Sequence, residues 1–164
     1  MKKLLLIFAL AGFLLNFQAE AQPYENAVGL RASWGFGGTF KHFLNESAAI
    51  EGILNYRNFG VLSLDWSYVQ VTGLYQVHKD LSNVFDGLQY YYGGGAFIGF
   101  WGGDFLNRID GDQTYIGIVG NLGLDYAFAD LPINLSVDWI PGISLVGGGG
   151  FLGTAGGLAI RYYF

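Results

Sequence analysis

The chain has 164 residues, of which 52% are hydrophobic, 18% aromatic and only 13% charged. This composition excludes an intrinsically disordered chain, which would be charged and poor in aromatic residues. The absence of cysteine excludes a disulfide framework and thiol chemistry. The net charge is −5, with no basic cluster beyond Lys2 and Lys3. This argues against a nucleic-acid partner, because nucleic-acid binding needs a basic face.

The first 21 residues have the pattern of a secretory signal peptide. Lys2 and Lys3 form a basic start, residues 4–15 form an apolar stretch, and Ala19-Glu20-Ala21 is a small-residue cleavage site. The apolar stretch is shorter than the ~20 residues of a membrane-spanning helix, which disfavours a membrane anchor. We therefore expect cleavage near Ala21 and a single mature domain of residues 22–164.

The mature region has no second long apolar run, which argues against membrane-spanning helices. It is nevertheless too apolar for a small secreted domain without disulfides. A closed β-barrel resolves this conflict, because its strands pair every backbone polar group and its outer side chains can face lipid.

Apolar and polar residues alternate along the mature region, as expected of strands whose successive side chains point to opposite faces. The first such segment, residues 26–43, is too long for one barrel strand, so we predict two strands joined at Gly35–Gly38. Near Ser67 the alternation changes phase, which predicts a loop end or a β-bulge. Six further strands are predicted within residues 48–57, 69–77, 88–100, 114–128, 133–139 and 154–164.

The connections between these strands also alternate in character. Short polar turns at 44–47, 79–87 and 129–132 are typical of the periplasmic end, whereas the segments at 58–66, 101–113 and 146–153 suit outer loops. The predicted fold is therefore all-β: an eight-stranded, antiparallel, up-and-down transmembrane β-barrel with its apolar face on lipid.

The polar face of the predicted strands would line a lumen that is just wide enough for side chains to fill. Its predicted charged residues are Arg31, Lys41, Glu51, Arg57, Asp125, Asp138 and Arg161. Four of them, Lys41, Glu51, Asp125 and Arg161, lie at similar predicted depth near the periplasmic end. Buried charges are tolerated when they are paired, so we expect salt bridges that block the lumen. An ion path gated by the same pairs is the alternative.

No catalytic, cofactor or metal site is expected. His42 and His78 are the only histidines, and both are interpreted as interfacial residues beside periplasmic turns rather than as catalytic bases. Gly148–Gly153 matches G-x-G-x-x-G but lacks the strand–motif–helix order of a dinucleotide site. Asp110-Gly111-Asp112 lacks the full calcium-loop pattern and is interpreted as a solvated turn.

The last residues carry a resemblance to a known family. Phe164 ends the chain, and Leu158, Ile160 and Tyr162 precede it at alternate positions. This pattern is similar to the signal that the outer-membrane assembly machinery reads. The whole mature chain resembles the small outer-membrane β-barrel family, which includes OmpX and the barrel domain of OmpA. The resemblance implies the outer membrane of a Gram-negative bacterium, with barrel assembly machinery, outer-membrane lipid and lipopolysaccharide as partners.

The resemblance implies no particular activity, because the family includes adhesins, lipid-modifying enzymes, small-molecule pathways and structural proteins. Our leading interpretation is a non-catalytic barrel with a structural or surface-interaction role and an unidentified surface ligand. A second interpretation is a narrow or lateral pathway for a small hydrophobic molecule, in which Gly93–Gly95 leave space in the lumen. A third, a soluble lipocalin-like binder, would place apolar residues inside and charges outside.

Overall fold

The computed structural model describes residues 24–61, 64–102, 114–147, 150–152 and 156–164. The described part of the chain is built from antiparallel β-strands. They are β1 (Asn26–Ala32), β2 (Phe36–Phe43), β3 (Ala48–Val61), β4 (Leu64–Asp80), β5 (Leu88–Gly102), β6 (Thr114–Ala127), β7 (Ile133–Trp139), β8 (Gly142–Val146), β9 (Gly150–Leu152) and β10 (Gly156–Tyr163). Among these residues no helix is long and apolar enough to cross a membrane.

The strands close into a barrel of eight strands. Each of β1 to β6 pairs with the next in the chain, and β10 pairs with β1. β7 and β8 are two segments of one barrel strand, because both pair with β6 and only Ile140 and Pro141 separate them. β9 and β10 are likewise successive segments of one barrel strand: β9 pairs with β8, and β10 pairs with β7. The predicted fold class is confirmed.

Both ends of the described barrel chain lie at the same end of the barrel, which we call the terminal end. The Asn26 amide donates to the Phe164 carbonyl at 3.1 Å, and the Phe164 amide donates to the Asn26 carbonyl at 2.8 Å. The connections at 44–47, 81–87 and 128–132 lie at this end, because they join the strand ends that neighbour the termini. The opposite end, where β1 turns into β2, is called the loop end.

Two hairpins differ in detail from the sequence prediction. The first hairpin has two strands as predicted, but it turns at residues 33–35, so Gly37 and Gly38 lie inside β2. The predicted bulge near Ser67 and the outer loop at 58–66 are wrong, because β3 and β4 stay in continuous register to the pair Val61 and Leu64. Strand pairing depends on backbone hydrogen bonds, so a change in the polarity pattern did not end it.

The side chains are arranged inside out relative to a soluble protein. Leu30 is 71% exposed and Leu158 63% exposed on the outer face, whereas Lys41 is fully buried and Arg161 is 1% exposed. The soluble lipocalin-like interpretation is wrong, because it requires the opposite placement of these residues. Ile118, Leu135 and Ile160 also lie on the exposed outer face, as the alternation predicted.

Candidate functional site

Four charged side chains meet inside the barrel from four different strands. The Lys41 Nζ atom lies 2.9 Å from Asp125 Oδ2 and 3.8 Å from Glu51 Oε2, and the Arg161 Nη2 atom donates to Glu51 Oε1. We call these four residues the ion cluster. They come from β2, β3, β6 and β10, and each is at most 3% exposed. Two cations face two carboxylates, so the cluster is formally neutral.

Neutral polar side chains complete the hydrogen bonding of the ion cluster. Glu51 accepts from Thr39 Oγ1 at 2.5 Å and from Gln76 Nε2 at 2.7 Å. Arg161 Nη1 donates to Asn134 Oδ1 at 3.0 Å and to Ser136 Oγ at 2.8 Å. These bonds matter because removing a charge from water is costly unless its donors and acceptors find partners inside the protein.

A second ion pair joins β1 to β7. Arg31 donates to Asp138 through both terminal nitrogens, one of them at 2.9 Å, and Tyr91 Oη donates to the same carboxylate at 2.9 Å. Two-pronged bonds of this kind are the stronger form of arginine–carboxylate contact. Gly157 leaves room for this pair, because a Cβ atom there would lie 2.3 Å from Arg31 Nη2.

Aromatic side chains pack beside the ion cluster at the terminal end. The Tyr24 ring stacks on Tyr163 with centroids 4.8 Å apart and meets the edge of Phe43 at 5.1 Å. Its hydroxyl donates to Asp125 Oδ2 at 3.4 Å. Burial raises the pKa of the Tyr24 hydroxyl well above its usual value, so this residue stays a neutral donor at physiological pH. The rings therefore cover the charged residues from this end.

His78 does not lie at the membrane interface, contrary to the prediction. Its ring is buried inside the barrel between Tyr91 and Phe43, with centroids 4.9 and 4.8 Å away, and its Nδ1 lies 3.1 Å from Gln89 Oε1. His78 faces the lumen because it lies two residues from Gln76 on β4, and alternate residues of a strand point to the same side. His42, in contrast, is partly buried beside Asn26, with its Nδ1 2.9 Å from that side-chain oxygen.

The lumen also contains an apolar cluster that the sequence analysis missed. Its buried members are Ile53, Leu74, Phe97, Val119 and Ile140. The odd-numbered face of residues 88–100 is only weakly polar in the sequence, which could have indicated this cluster, and Phe97 on that face points into the lumen. Gly117 makes space for this ring, since a Cβ atom there would lie 2.5 Å from Phe97 Cε1. Among the described residues, the interior of the barrel therefore contains apolar packing as well as ion pairs.

Gly93 and Gly95 do not leave lumen space as predicted. A Cβ atom at Gly93 would lie 1.9 Å from the Tyr75 carbonyl oxygen, and one at Gly95 would lie 1.8 Å from the Gly73 carbonyl oxygen. Both glycines instead let the backbone of β5 approach β4 closely.

Arg57 is separate from both groups of ion pairs. It lies toward the loop end, with its guanidinium carbon 4.8 Å from the centroid of the Trp34 ring. It lines a small cavity of about 60 Å³ together with Arg31 and several polar side chains. Of the seven predicted lumen charges, the structure thus places four in the ion cluster, two in the Arg31–Asp138 pair and one near the loop end.

Other sequence motifs have little or no described structure. Asp110-Gly111-Asp112 lies outside the described residues, as do residues 1–23 with the predicted cleavage site, and Gly148–Gly153 is described only in part. Within the described ranges, no group of three or more histidine or acidic residues is arranged to hold a metal ion.

The residues of the predicted assembly signal share the outer side of the last strand. Leu158 and Ile160 are exposed there, and the rings of Tyr162 and Phe164 follow with centroids 6.2 Å apart. An apolar strand that ends in aromatic side chains is the arrangement found where a barrel wall reaches the membrane interface.

The barrel is similar to solved structures of two bacterial proteins. Neisserial surface protein A (NspA) aligns over 85% of this chain and 94% of its own, with 15% sequence identity and a TM-score of 0.51. The chain has the fold of a small eight-stranded outer-membrane β-barrel. Ail, the attachment invasion locus protein of Yersinia pestis, aligns over 83% of this chain and 92% of its own, with 11% identity and a TM-score of 0.42. No family model and no curated protein matches the sequence.

Proposed function

We propose that the protein is an integral β-barrel of the Gram-negative outer membrane, with a structural or surface-interaction role and no catalytic activity. The observation that carries this proposal is the inside-out barrel, in which large apolar side chains cover the outer face and charged side chains are buried within. Water would not tolerate so large an apolar surface, whereas lipid would. The similarity of fold to a protein named as a surface protein supports the same location.

The location can be tested on the expressed full-length chain. The protein should appear in the outer-membrane fraction, and the folded barrel should migrate faster on detergent gels before boiling than after it. Recovery in the soluble periplasmic fraction, with no difference between boiled and unboiled samples, would contradict the proposal.

We further propose that the lumen is blocked to ions. Three features support this: the neutral ion cluster, the aromatic rings beside it at the terminal end and the apolar cluster. An ion on this path would have to displace buried pairs that already satisfy each other, which is costly in a low-dielectric interior. The competing view is an ion path gated by those same pairs.

Single-channel recording distinguishes a blocked lumen from a gated one. Purified protein in planar bilayers should show no steady conductance, while an open porin in the same bilayer provides the positive control. Long, uniform open events would contradict the blocked lumen. If such open events occur, and if they disappear in an Asp125→Asn variant that inserts equally well, the current passes through the ion cluster.

The proposed partners are lipopolysaccharide and lipid around the apolar wall, and the barrel assembly machinery at Leu158, Ile160, Tyr162 and Phe164. Absence of catalysis is tested by mass spectrometry of lipid A from cells that overexpress the protein. Unchanged acyl composition is expected, and a lost or added acyl chain would contradict the non-catalytic assignment.

A further inference from the structure

A groove crosses the outer wall of the barrel between two rows of apolar side chains. It has a volume of about 730 Å³ and extends over β5, β6, β7, β10, β1 and β2. The lower row, nearer the terminal end, runs from Leu88 to Leu30, and the upper row runs from Leu124 to Phe36. We call this feature the wall groove, and it follows neighbouring strands in the direction of their hydrogen bonds.

The floor of the wall groove is strand backbone, and its sides are mostly aliphatic. The residues between the two rows, such as Asp125, Ser136 and Ala159, turn their side chains into the lumen. We call the outer face of the two remaining strands, β3 and β4, the far wall. The far wall is flatter, because Gly52 and Gly73 stand opposite each other there with open space where a side chain would be. The wall groove therefore distinguishes its sector of the barrel from the far wall.

The wall groove climbs from the terminal end over a height that matches one leaflet of a membrane. Leu88 is the first residue of β5 at the terminal end, whereas Leu30 is the fifth residue of β1 counted from the same end. The six strands of the groove span about 24 Å at ~4.8 Å between neighbours. With strands tilted ~35–45° from the barrel axis, the groove rises by roughly 14–17 Å, which is about half of the ~30 Å hydrocarbon core of a bilayer. A lipid acyl chain that starts at the terminal end therefore matches the groove in length and direction.

A lysine stands at the lower end of the wall groove. Lys79 lies opposite Tyr90, which lies opposite Leu124, so the upper row continues to Lys79 on β4. Lys79 is exposed, and among the described residues it is the only lysine or arginine at an outward-facing strand position. Within the same residues its ammonium has no ion pair or hydrogen bond, and the carboxylate of the adjacent Asp80 accepts from the amide and hydroxyl of Ser82 instead. Lys79 is therefore available to a group that the membrane supplies.

Lys79 and Tyr90 suit the level of lipid head groups. A lysine can keep its apolar stem on the wall while its ammonium reaches the polar head groups, and lysine binds phosphate as a point charge. Tyrosine is enriched at the same level, because its ring is apolar and its hydroxyl is polar. The terminal end faces the periplasm in the proposed location, and the phosphate-bearing lipids of the periplasmic leaflet are glycerophospholipids.

We propose that the wall groove binds one glycerophospholipid of the periplasmic leaflet. The phosphate group contacts the Lys79 ammonium beside Tyr90, and one acyl chain lies between the two rows. The chain contacts side chains on both of its sides there, whereas on the far wall it would meet protein on one side only, so the groove provides more dispersion contacts. The site rests on the proposed outer-membrane location, since it needs a lipid-facing wall, but it does not depend on whether the lumen conducts.

Photo-crosslinking of the reconstituted protein tests the proposal. The probes are phosphatidylglycerol and diacylglycerol with the same photoreactive acyl chain, each at the same low mole fraction in phosphatidylcholine vesicles. Mass spectrometry of peptides compares the labels on Leu135 and Leu158 in the groove with those on Leu54 and Val71 of the far wall. We expect phosphatidylglycerol to label the groove about fivefold more than diacylglycerol does, which corresponds to ~1 kcal/mol for one lysine near an anionic lipid surface. Both probes should label the far wall equally.

Two pairs of variants separate the site from the general lipid shell. Lys79→Gln should abolish the preference for phosphatidylglycerol in the groove, whereas Lys79→Arg should keep it, because arginine keeps the positive charge. Val137→Trp places a large ring between the two rows and should lower the labelling of Leu135 and Leu158 by both probes severalfold. Val71→Trp is the matched control, because Val71 and Val137 are outward-facing valines that are each 47% exposed. It should leave the labelling of the groove unchanged.

Three results would overturn the site. They are equal labelling of the groove by the two probes, an unchanged preference in Lys79→Gln, and protection of the groove from both probes together with a cross-linked dimer on gels, which would assign the groove to a second copy of the chain. Heat-modifiable migration of every reconstituted variant is measured in parallel. A folded barrel whose groove and far wall are labelled alike would refute the lipid site and leave the outer-membrane barrel intact, whereas a folded barrel that neither probe labels would refute the location and the site together.

Discussion

Replacing Glu51 by glutamine should destabilise the barrel strongly, because Glu51 is the carboxylate that holds the ion cluster together. It accepts hydrogen bonds from Arg161, Thr39 and Gln76 and lies 3.8 Å from the Lys41 ammonium. Glu51→Gln leaves two buried cations facing Asp125 alone. Breaking one partner of a buried ion pair costs about 3–5 kcal/mol, and we expect a loss of that size in the free energy of unfolding.

A double variant shows whether the loss arises from the unpaired charge. Arg161→Gln alone should cost a similar amount, because it leaves two carboxylates facing Lys41. The double variant Glu51→Gln/Arg161→Gln restores a neutral pair of Lys41 and Asp125. Its loss should therefore be smaller than the sum of the two single losses by roughly 1–3 kcal/mol, since neighbours in one network are not additive.

Urea unfolding in phosphatidylcholine vesicles, followed by tryptophan fluorescence and by heat-modifiable migration, measures these differences. Glu46→Gln is the matched control: it makes the same substitution in the exposed 44–47 turn and should stay within about 0.5 kcal/mol of the parent. A loss below about 1 kcal/mol for Glu51→Gln, or strictly additive losses in the double variant, would refute the role given to the ion cluster.

Three further predictions concern packing, hydrogen bonding and assembly. Gly157→Ala should destabilise the barrel by about 1–3 kcal/mol in the same urea unfolding assay, because its Cβ atom would lie 2.3 Å from Arg31 Nη2. Gly52→Ala is the control, because a Cβ atom there meets nothing within 4 Å. Equal effects of the two substitutions would contradict the packing argument. Tyr91→Phe removes a donor from Asp138 and should cost about 1.5–3 kcal/mol in that assay, whereas an unchanged unfolding midpoint would show that the bond contributes nothing. Deleting Phe164 should lower the outer-membrane yield in cells more than any single loop substitution does, and a normal yield on immunoblots of membrane fractions would count against the assembly signal.

The sequence predicted the barrel wall well because a two-residue period is a local property. Leu135 and Ser136 are adjacent and take opposite faces, and nothing beyond strand geometry is needed to say so. The even strand count followed from placing both termini at one end. The extent of β3 and β4 was missed, because polar residues such as Asn58 and Ser67 interrupt the pattern without interrupting the backbone pairing.

The interior was harder to predict, because it depends on strand tilt and on which side chains meet across the lumen. Lys41 and Asp125 are 84 residues apart in sequence, and no local signal specifies their contact. The Arg57–Trp34 contact likewise depends on the short β1–β2 turn meeting the longer β3. Phe97 and Val119 are apolar residues on the lumen-facing side of their strands. The two-residue period alone does not reveal that they contact Ile53 in one cluster.

The central claim is tested most directly by measuring whether the outer face of the barrel contacts lipid or water when the protein is in a membrane. The chain has no cysteine, so single cysteines at Leu122, Leu135, Val137 and Leu158 can each carry a spin label on protein reconstituted in lipid vesicles. We predict strong relaxation of these labels by oxygen, which concentrates in lipid, and little relaxation by a water-soluble nickel chelate. Strong relaxation by the nickel chelate at these four positions would place the outer face in water and contradict the transmembrane barrel.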